Sequence, residues 1–254
     1  MSRTQKGSSC VTSKEAAIFQ LKRLKGKSFK QKVEHIFTYF RTPILLVLLI
    51  LIIGVSYVVH LATSKDSVLS VICLNSFAEA DDADSYGLEF AQAAGIDTNK
   101  YDVQITTEMF VSKESLNGSY ETSQVIFAQA ASQSIDILAA DLDTLISYFY
   151  QDYFVDLRQI LSLEQQEHLH NYFLYVDTAY LDQISNMDDL SPTYPDPTKP
   201  EEMSQPIPVG LLLPPDSSFT QLCYSIPGTQ PSIGILINSK NLDTVLSFLD
   251  YIGY

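Results

Sequence analysis

The sequence contains no tryptophan, and its 254 residues include only three cysteines, four histidines and four methionines. Cys10, Cys73 and Cys223 follow no repeating spacing, which excludes the disulfide framework of a small secreted scaffold and the paired cysteines of a zinc ribbon. A Cys73–Cys223 disulfide stays open on sequence grounds, with two buried free thiols as the expected state. The histidines are His35, His60, His168 and His170. His168 and His170 are two residues apart and cannot share a helix face. Glu164 and His168 can, at i, i+4, but two ligands alone make no metal site, and a solvated helix surface is the expectation there. No G-x-S-x-G, H-E-x-x-H or phosphate-cradling glycine loop occurs, so the common hydrolase, zincin and nucleotide-binding signatures are missing. Asp81, Asp82 and Asp84 lack the spacing and the downstream glutamate of a calcium loop, and are expected to favour a helix N-terminus instead. No cofactor, metal or catalytic residue is expected.

Positive charge is also scarce over most of the chain. Residues 64–254 carry six Lys or Arg against 28 acids, a net charge of -22. Phosphate would be repelled, which argues against a nucleic-acid partner. Residues 1–42 are the opposite, with ten Lys or Arg against Glu15 and Glu34, a net +8. Between them runs PILLVLLILIIGVSYVVHLA, Pro43 to Ala62, without a single charge. A helix of that length covers a hydrocarbon core of roughly 30 Å. A secretory signal would have a shorter apolar core, a short basic start and a small-x-small cleavage site. Here 42 residues come before the segment, and the exit VVHLATS offers no such site. The expectation is an uncleaved anchor. Lys22, Arg23, Lys25, Lys27, Lys30, Lys32 and Arg41 precede it and only Lys65 follows closely, so the positive-inside rule places the N-terminus in the cytoplasm and residues 64–254 outside. The basic stretch 14–40 is read either as an amphipathic helix on the inner leaflet or as an arm whose charges only set topology. Three parts result: a basic cytoplasmic tail (1–42), a transmembrane helix (43–63) and an extracellular domain (64–254).

The outer domain opens on SVLSVICL, a β-branched run suited to a strand buried on both faces. DADSYGLEFAQAAG then places Ala83, Tyr86, Phe90 and Ala94 at helical spacing, with Asp81 or Asp82 as cap and Gly95 just past the end. YDVQITTEMFV is a second strand with partial alternation, Asn117-Gly118 a turn, 121–133 a helix with Val125, Ile126 and Ala130 inward, and 135–140 a third strand. This β-α-β-α-β order predicts an α/β fold with a mostly parallel sheet and right-handed crossovers. Helices are expected at 143–150 and 163–170, and a strand at 172–176. A proline-rich connector follows at 188–208, then two buried strands in PVGLLL and SIGILI. The last helix carries Leu242, Val245, Leu246 and Leu249, with Asn238 or Ser239 as its cap.

Three stretches give this order a family likeness: IDILAADLDTLISYFYQDYFVDLRQIL, with its Phe154-Val155-Asp156-Leu157 turn; the Ala- and Gln-rich helix before it; and the late Asn238-Ser239-Lys240-Asn241 following a strand. Over roughly 66–182 and 206–252 the chain resembles the extracellular solute-binding proteins of bacterial ABC importers, the second type of periplasmic-binding-protein fold. The resemblance implies a two-lobed binder of a small solute, a sugar or a peptide, that works with an ABC permease. Here it would be membrane-anchored rather than lipid-anchored or secreted, with a second lobe reduced to 142–205.

Ligands of open α/β sheets sit beyond the carboxyl ends of the strands. The candidate ligand-binding residues are therefore Asn75, Ser76 and Phe77 after the first strand, Asp141 and Asp143 after the third, and Asn238 after the last. Tyr148 is added as an aromatic that could stack on a sugar or peptide. The plainer reading is that Asp141 or Asp143 caps the next helix and the aromatics fill the core. The leading function is non-catalytic recognition of a solute or a permease. The alternative is a ligand-free scaffold at the outer membrane face, exposing an apolar patch among 148–154.

Overall fold

The computed structural model describes residues 41–63, 65–111, 116–184, 194–224 and 230–254. The basic stretch 14–40, Cys10 and most of the first half of the proline-rich connector lie outside these. The chain divides into two units, Met1–Ser64 and Lys65–Tyr254.

In the first unit, α1 spans Arg41–Thr63. Its side chains are described at Thr42 and at 44–59, and from Leu45 through Val59 they are exposed. Counted over the described residues alone, no helix is long and apolar enough to cross a membrane. The anchor expectation therefore rests on the sequence of the whole segment, flanks included.

The second unit is one six-stranded mixed sheet with helices on both faces. Its strands are β1 (Asp66–Leu74), β2 (Tyr101–Met109), β3 (Ile137–Asp141), β4 (Phe173–Asp177), β5 (Pro206–Leu212) and β6 (Pro231–Ile235), in the order β2-β1-β3-β6-β5-β4. The β-α-β-α-β half is parallel: β1 pairs with β2 and with β3. The other pairings, β3–β6, β5–β6 and β4–β5, are antiparallel. The mostly parallel expectation is thereby corrected. Its source was the regular strand–helix alternation of the first half, which stops after β3. The segment 142–205, expected as a reduced second lobe, supplies β4 to the far edge of this same sheet.

The helices are α2 (Ala80–Ala93), α3 (Leu116–Ala131), α4 (Leu142–Phe149), α5 (Leu163–Leu169), α6 (Thr178–Ile184), α7 (Ser218–Cys223) and α8 (Leu242–Tyr251). Asn117-Gly118, expected as a turn, lies inside the first turn of α3. In α2 Ala83, Tyr86 and Phe90 are buried as expected, while Ala94 is the exposed C-cap. Gly95 takes φ 70°, and the N–H groups of Gly95 and Ile96 bond back to Gln92 and Ala91, a Schellman ending that only a residue tolerant of positive φ closes cheaply. In α3 Ile126 and Ala130 point inward but Val125 faces solvent.

Alternation along the strands sorts the core into two layers. Val71, Cys73, Ile137 and Ala139 face α2, α7 and α8; Ile72, Leu74, Leu138 and Ala140 face α3 and α4. This is why β1 reads as an unbroken apolar run while the edge strand β2 alternates. The aromatics of the 148–154 stretch fill the second layer. Phe149 and Phe154 meet edge to face at 5.1 Å, over the paired glycines Gly210 and Gly234. A Cβ at either glycine would overlap one of these rings. Tyr148, Phe149, Tyr150 and Phe154 are all buried, so the apolar patch expected among 148–154 is absent there.

Candidate functional site

The carboxyl ends of β1 and β3 lie side by side and bring two predicted residues, Asn75 and Asp141, together. Asn75 leaves β1 at φ 55°, a left-handed conformation that asparagine tolerates better than most residues. Its Nδ2 donates to Asp141 Oδ2 at 3.3 Å and to Thr144 Oγ1 at 3.2 Å, and its Oδ1 accepts the Val111 N–H at 2.8 Å. Asp141 caps α4: Oδ1 accepts the Thr144 N–H at 2.9 Å and Oδ2 the Thr144 hydroxyl at 2.8 Å. Every polar atom of the cluster is therefore engaged within the protein. Its chemistry is that of a clamp joining β1, the β2 exit and α4.

The remaining predicted residues scatter. Ser76 is buried, and its hydroxyl accepts the Ala78 N–H. Phe77 is 67% exposed and lies 6.0 Å from the Phe110 ring. Asp143 is exposed in the first turn of α4. Tyr148 is buried, with its hydroxyl 3.0 Å from that of Ser123; burial raises its pKa and the Ser123 bond partly opposes the shift. Asn238 lies at the opposite end of the sheet. Because β6 runs antiparallel to β3, the residues after β6 meet the start of β3, not its end. Grouping Asn238 with Asn75 and Asp141 assumed a parallel last strand and is corrected here. Nor does Asn238 or Ser239 cap α8, whose N-cap position is Asn241.

At that opposite end is a carboxylate that sequence reasoning passed over. Asp136 is 3% exposed. It accepts the Ser70 N–H at 2.9 Å, the Ser239 hydroxyl at 2.6 Å and the Asn241 side-chain amide at 3.1 Å. Its own N–H and C=O bond Ser70 and Leu236. The Asn238–Asn241 stretch thus serves as a hydrogen-bonding turn that satisfies a buried acid. An aspartate just ahead of an apolar strand, with Ser-x-Asn after a later strand, was the available signal. A third acid, Asp177, ends β4 and accepts the N–H groups of Ala179, Ser204 and Gln205. Burial pulls its pKa up, but these three donors prevail and hold it below the ordinary carboxylate value.

The exposed surface around α3 is a different environment. Phe77, Phe110, Tyr120, Val125 and Phe127 are all largely exposed. Thr122 Oγ1 donates to the Phe110 carbonyl, tying the start of α3 to the end of β2. Phe127 meets Tyr153 edge to face at 5.7 Å. Tyr120, Ser123, Gln124, Phe127 and Gln151 line an open hollow of about 440 Å³. Glu79, Glu108, Glu121 and Asp143, close in sequence to these aromatics or to Asp141, are all exposed. The described stretches 66–99, 101–111 and 116–157 hold no Lys or Arg. Glu164 and His168, with Asp250, border a separate hollow of about 250 Å³ between α5 and α8. Among the described residues no group of three or more His, Cys, Asp or Glu is placed to hold a metal.

Compared with known proteins, no family model matches the chain, and neither a curated protein nor a solved structure matches it.

Proposed function

We propose that the chain is a membrane-anchored recognition protein without catalytic activity, whose Lys65–Tyr254 domain lies outside the cytoplasm and holds a partner protein on the aromatic surface around α3. One observation carries this reading: the large aromatic side chains of Phe77, Phe110, Tyr120 and Phe127 stand in solvent, on α3 and on the segments after β1 and β2, while the polar cluster beyond β1 and β3 is internally satisfied. Exposed apolar patches of this kind are typical of interaction sites. The acidic surroundings favour a partner with an apolar contact point and basic flanks. The uncharged segment from Pro43 to Ala62, with its basic leading flank, supports the anchor and its orientation. The resemblance to solute-binding proteins of importers supplies a class of partner, a membrane permease. It rests on the element order over roughly 66–182 and 206–252, on the Ala- and Gln-rich helix before the third strand, on the Phe154-Val155-Asp156-Leu157 turn and on the Asn238–Asn241 stretch.

A second reading has its own observation, the hollow bordered by Tyr120, Ser123, Gln124, Phe127 and Gln151. Aromatic walls with two amides and a hydroxyl suit a sugar or a short peptide.

A photo-crosslinking residue at Phe110 in the full-length membrane protein separates the two readings. Partner recognition predicts one dominant protein adduct there and none from the same probe at Glu164, on α5. A thermal-melting panel of sugars and peptides supplies the other arm, since a ligand at 100 times its dissociation constant adds about 2.7 kcal/mol. A shift abolished by Gln124→Ala, with no adduct at Phe110, would replace partner recognition by solute binding.

A further inference from the structure

Cys73 and Cys223 are separated by 150 residues in sequence, yet their sulfurs lie 3.7 Å apart. Cys73 is the penultimate residue of the interior strand β1 and Cys223 is the last residue of α7. Both thiols are buried. The next residue along on each side is also paired: the Tyr224 hydroxyl donates to the Leu74 carbonyl at 3.1 Å. Two successive residues of β1 thus meet two successive residues at the end of α7, which fixes the sulfurs' alignment independently of the sulfurs themselves. The contact with Cys223, with burial added, raises the Cys73 pKa well above its usual value and disfavours its thiolate in the folded protein. Burial closes both sulfurs off from an external oxidant once the domain has folded.

We propose that Cys73 and Cys223 form a disulfide while the domain folds, stapling β1 to α7 directly beneath the turn at Asn75 that presents Phe77. The oxidant is a small or protein disulfide of the thiol-exchange class. One cysteine thiolate attacks it, forming a mixed disulfide and expelling one thiolate of the oxidant. The second cysteine thiolate then displaces the other half. The two cysteines lose two protons and two electrons, and the oxidant disulfide becomes two thiols. Closing the sulfurs from contact to about 2.05 Å needs an approach of roughly 1.6 Å. α7 is a single six-residue helix packed on that layer, and its shift supplies the approach. A bond across so long a loop ranks among the more stabilising disulfides.

The test uses the full chain in detergent, unfolded in urea with reductant and returned to native buffer containing oxidised and reduced glutathione. It is then quenched in acid, alkylated and mapped by mass spectrometry. The expected product joins the Cys73 and Cys223 peptides, lighter by two hydrogens, with Cys10 left outside the bridge. Reductant then lowers the melting temperature by about 10 °C in this protein and not in a C73A/C223A variant. Recovery of both cysteines alkylated, or each capped by glutathione, overturns the proposal, as does a melting temperature indifferent to reductant in the refolded wild type. The wild-type comparison stands alone if the double variant does not fold. Because the buffer supplies the oxidant, the outcome does not depend on which side of the membrane the domain occupies.

Discussion

Two aspartates at the two ends of one strand are put to different uses. Asp136 precedes β3 and Asp141 ends it, so the same strand presents a carboxylate at each end of the sheet. Asp136 is sealed inside and bonded to groups from β1 and from the turn after β6. Asp141 is half-buried and bonded mainly to Thr144, three residues on, with Asn75 as its long-range partner. The first joins segments about a hundred residues apart; the second starts a helix. The comparison separates a carboxylate that holds the tertiary fold from one that does local work, although both sit where a ligand-binding acid would be sought.

The largest effect follows from removing the sealed acid. Asp136→Ala strands the buried Ser70 N–H and frees the Ser239 and Asn241 side chains, and should cost about 3 kcal/mol of domain stability. Urea unfolding of residues 65–254 measures it. A loss below about 1 kcal/mol would erase the distinction between the two ends, because that is the usual scale of a helix cap.

How legible these features were in the sequence depends on the range of the interaction behind each. β1 to β3 and their helices could be read, because apolar runs, capping residues and Gly95 act within a few positions. The Asp141 cap was readable for the same reason. The direction of β6 was not, since SIGILI has the same pattern whether it enters the sheet parallel or antiparallel, and the placement of Asn238 failed with it. Asp136 was overlooked because its partners are the Ser70 backbone and a turn more than a hundred residues on. The aromatics of 148–154 could not be told from a surface patch: whether Phe149 and Phe154 are covered depends on Gly210 and Gly234 facing each other across β5 and β6, a pairing that no local pattern encodes. α6 and α7 are too short to carry a periodic signal. Phe77 was singled out only for following the first strand; that its ring is left 67% exposed depends on what the rest of the chain fails to cover, which no local pattern encodes.

Asp177 extends the contrast to pH. Its folded pKa lies below the ordinary value of 3.8 because three N–H donors favour the charged form over the cost of burial. A depressed folded pKa means stability that is complete above the unfolded value and fades as pH falls through the folded one. The domain should therefore lose stability below about pH 4. Asp177→Asn should destabilise it by about 2 kcal/mol at pH 7 and flatten the acid limb, because the amide offers those donors one acceptor oxygen instead of two. An acid limb as steep in the variant as in the wild type would assign the pH dependence to other carboxylates, Asp156 and Asp196 being the nearest in kind.

Asp141→Ala tests the exposed end of β3. The loss should be about 1 kcal/mol, the scale of an N-cap, and Asp141→Asn should recover most of it, since the amide oxygen still accepts the Thr144 N–H. If Asp141→Ala instead raises stability, the carboxylate is held at a cost, as ligand-binding groups often are, and the candidate site regains its claim.

The smallest effect on stability is expected where the effect on function should be greatest. Phe77 and Phe110 touch each other, and both rings stand largely in solvent. Replacing both with serine removes apolar area that folding does not bury, so the unfolding free energy should stay within about 0.5 kcal/mol. A partner that covers these rings would lose their burial on docking, so the photo-adduct formed from a probe at Tyr120 should fall at least tenfold in the double variant, about 1.4 kcal/mol of binding. Asp136→Ser, matched for the residue introduced, should do the reverse, lowering stability while leaving adduct formation by the remaining folded protein unchanged. If Phe77→Ser/Phe110→Ser unfolds the domain, those rings belong to the core and the recognition surface must be sought elsewhere. If it changes neither stability nor adduct, the surface is inert, and the hollow beside Gln124 becomes the place to test next.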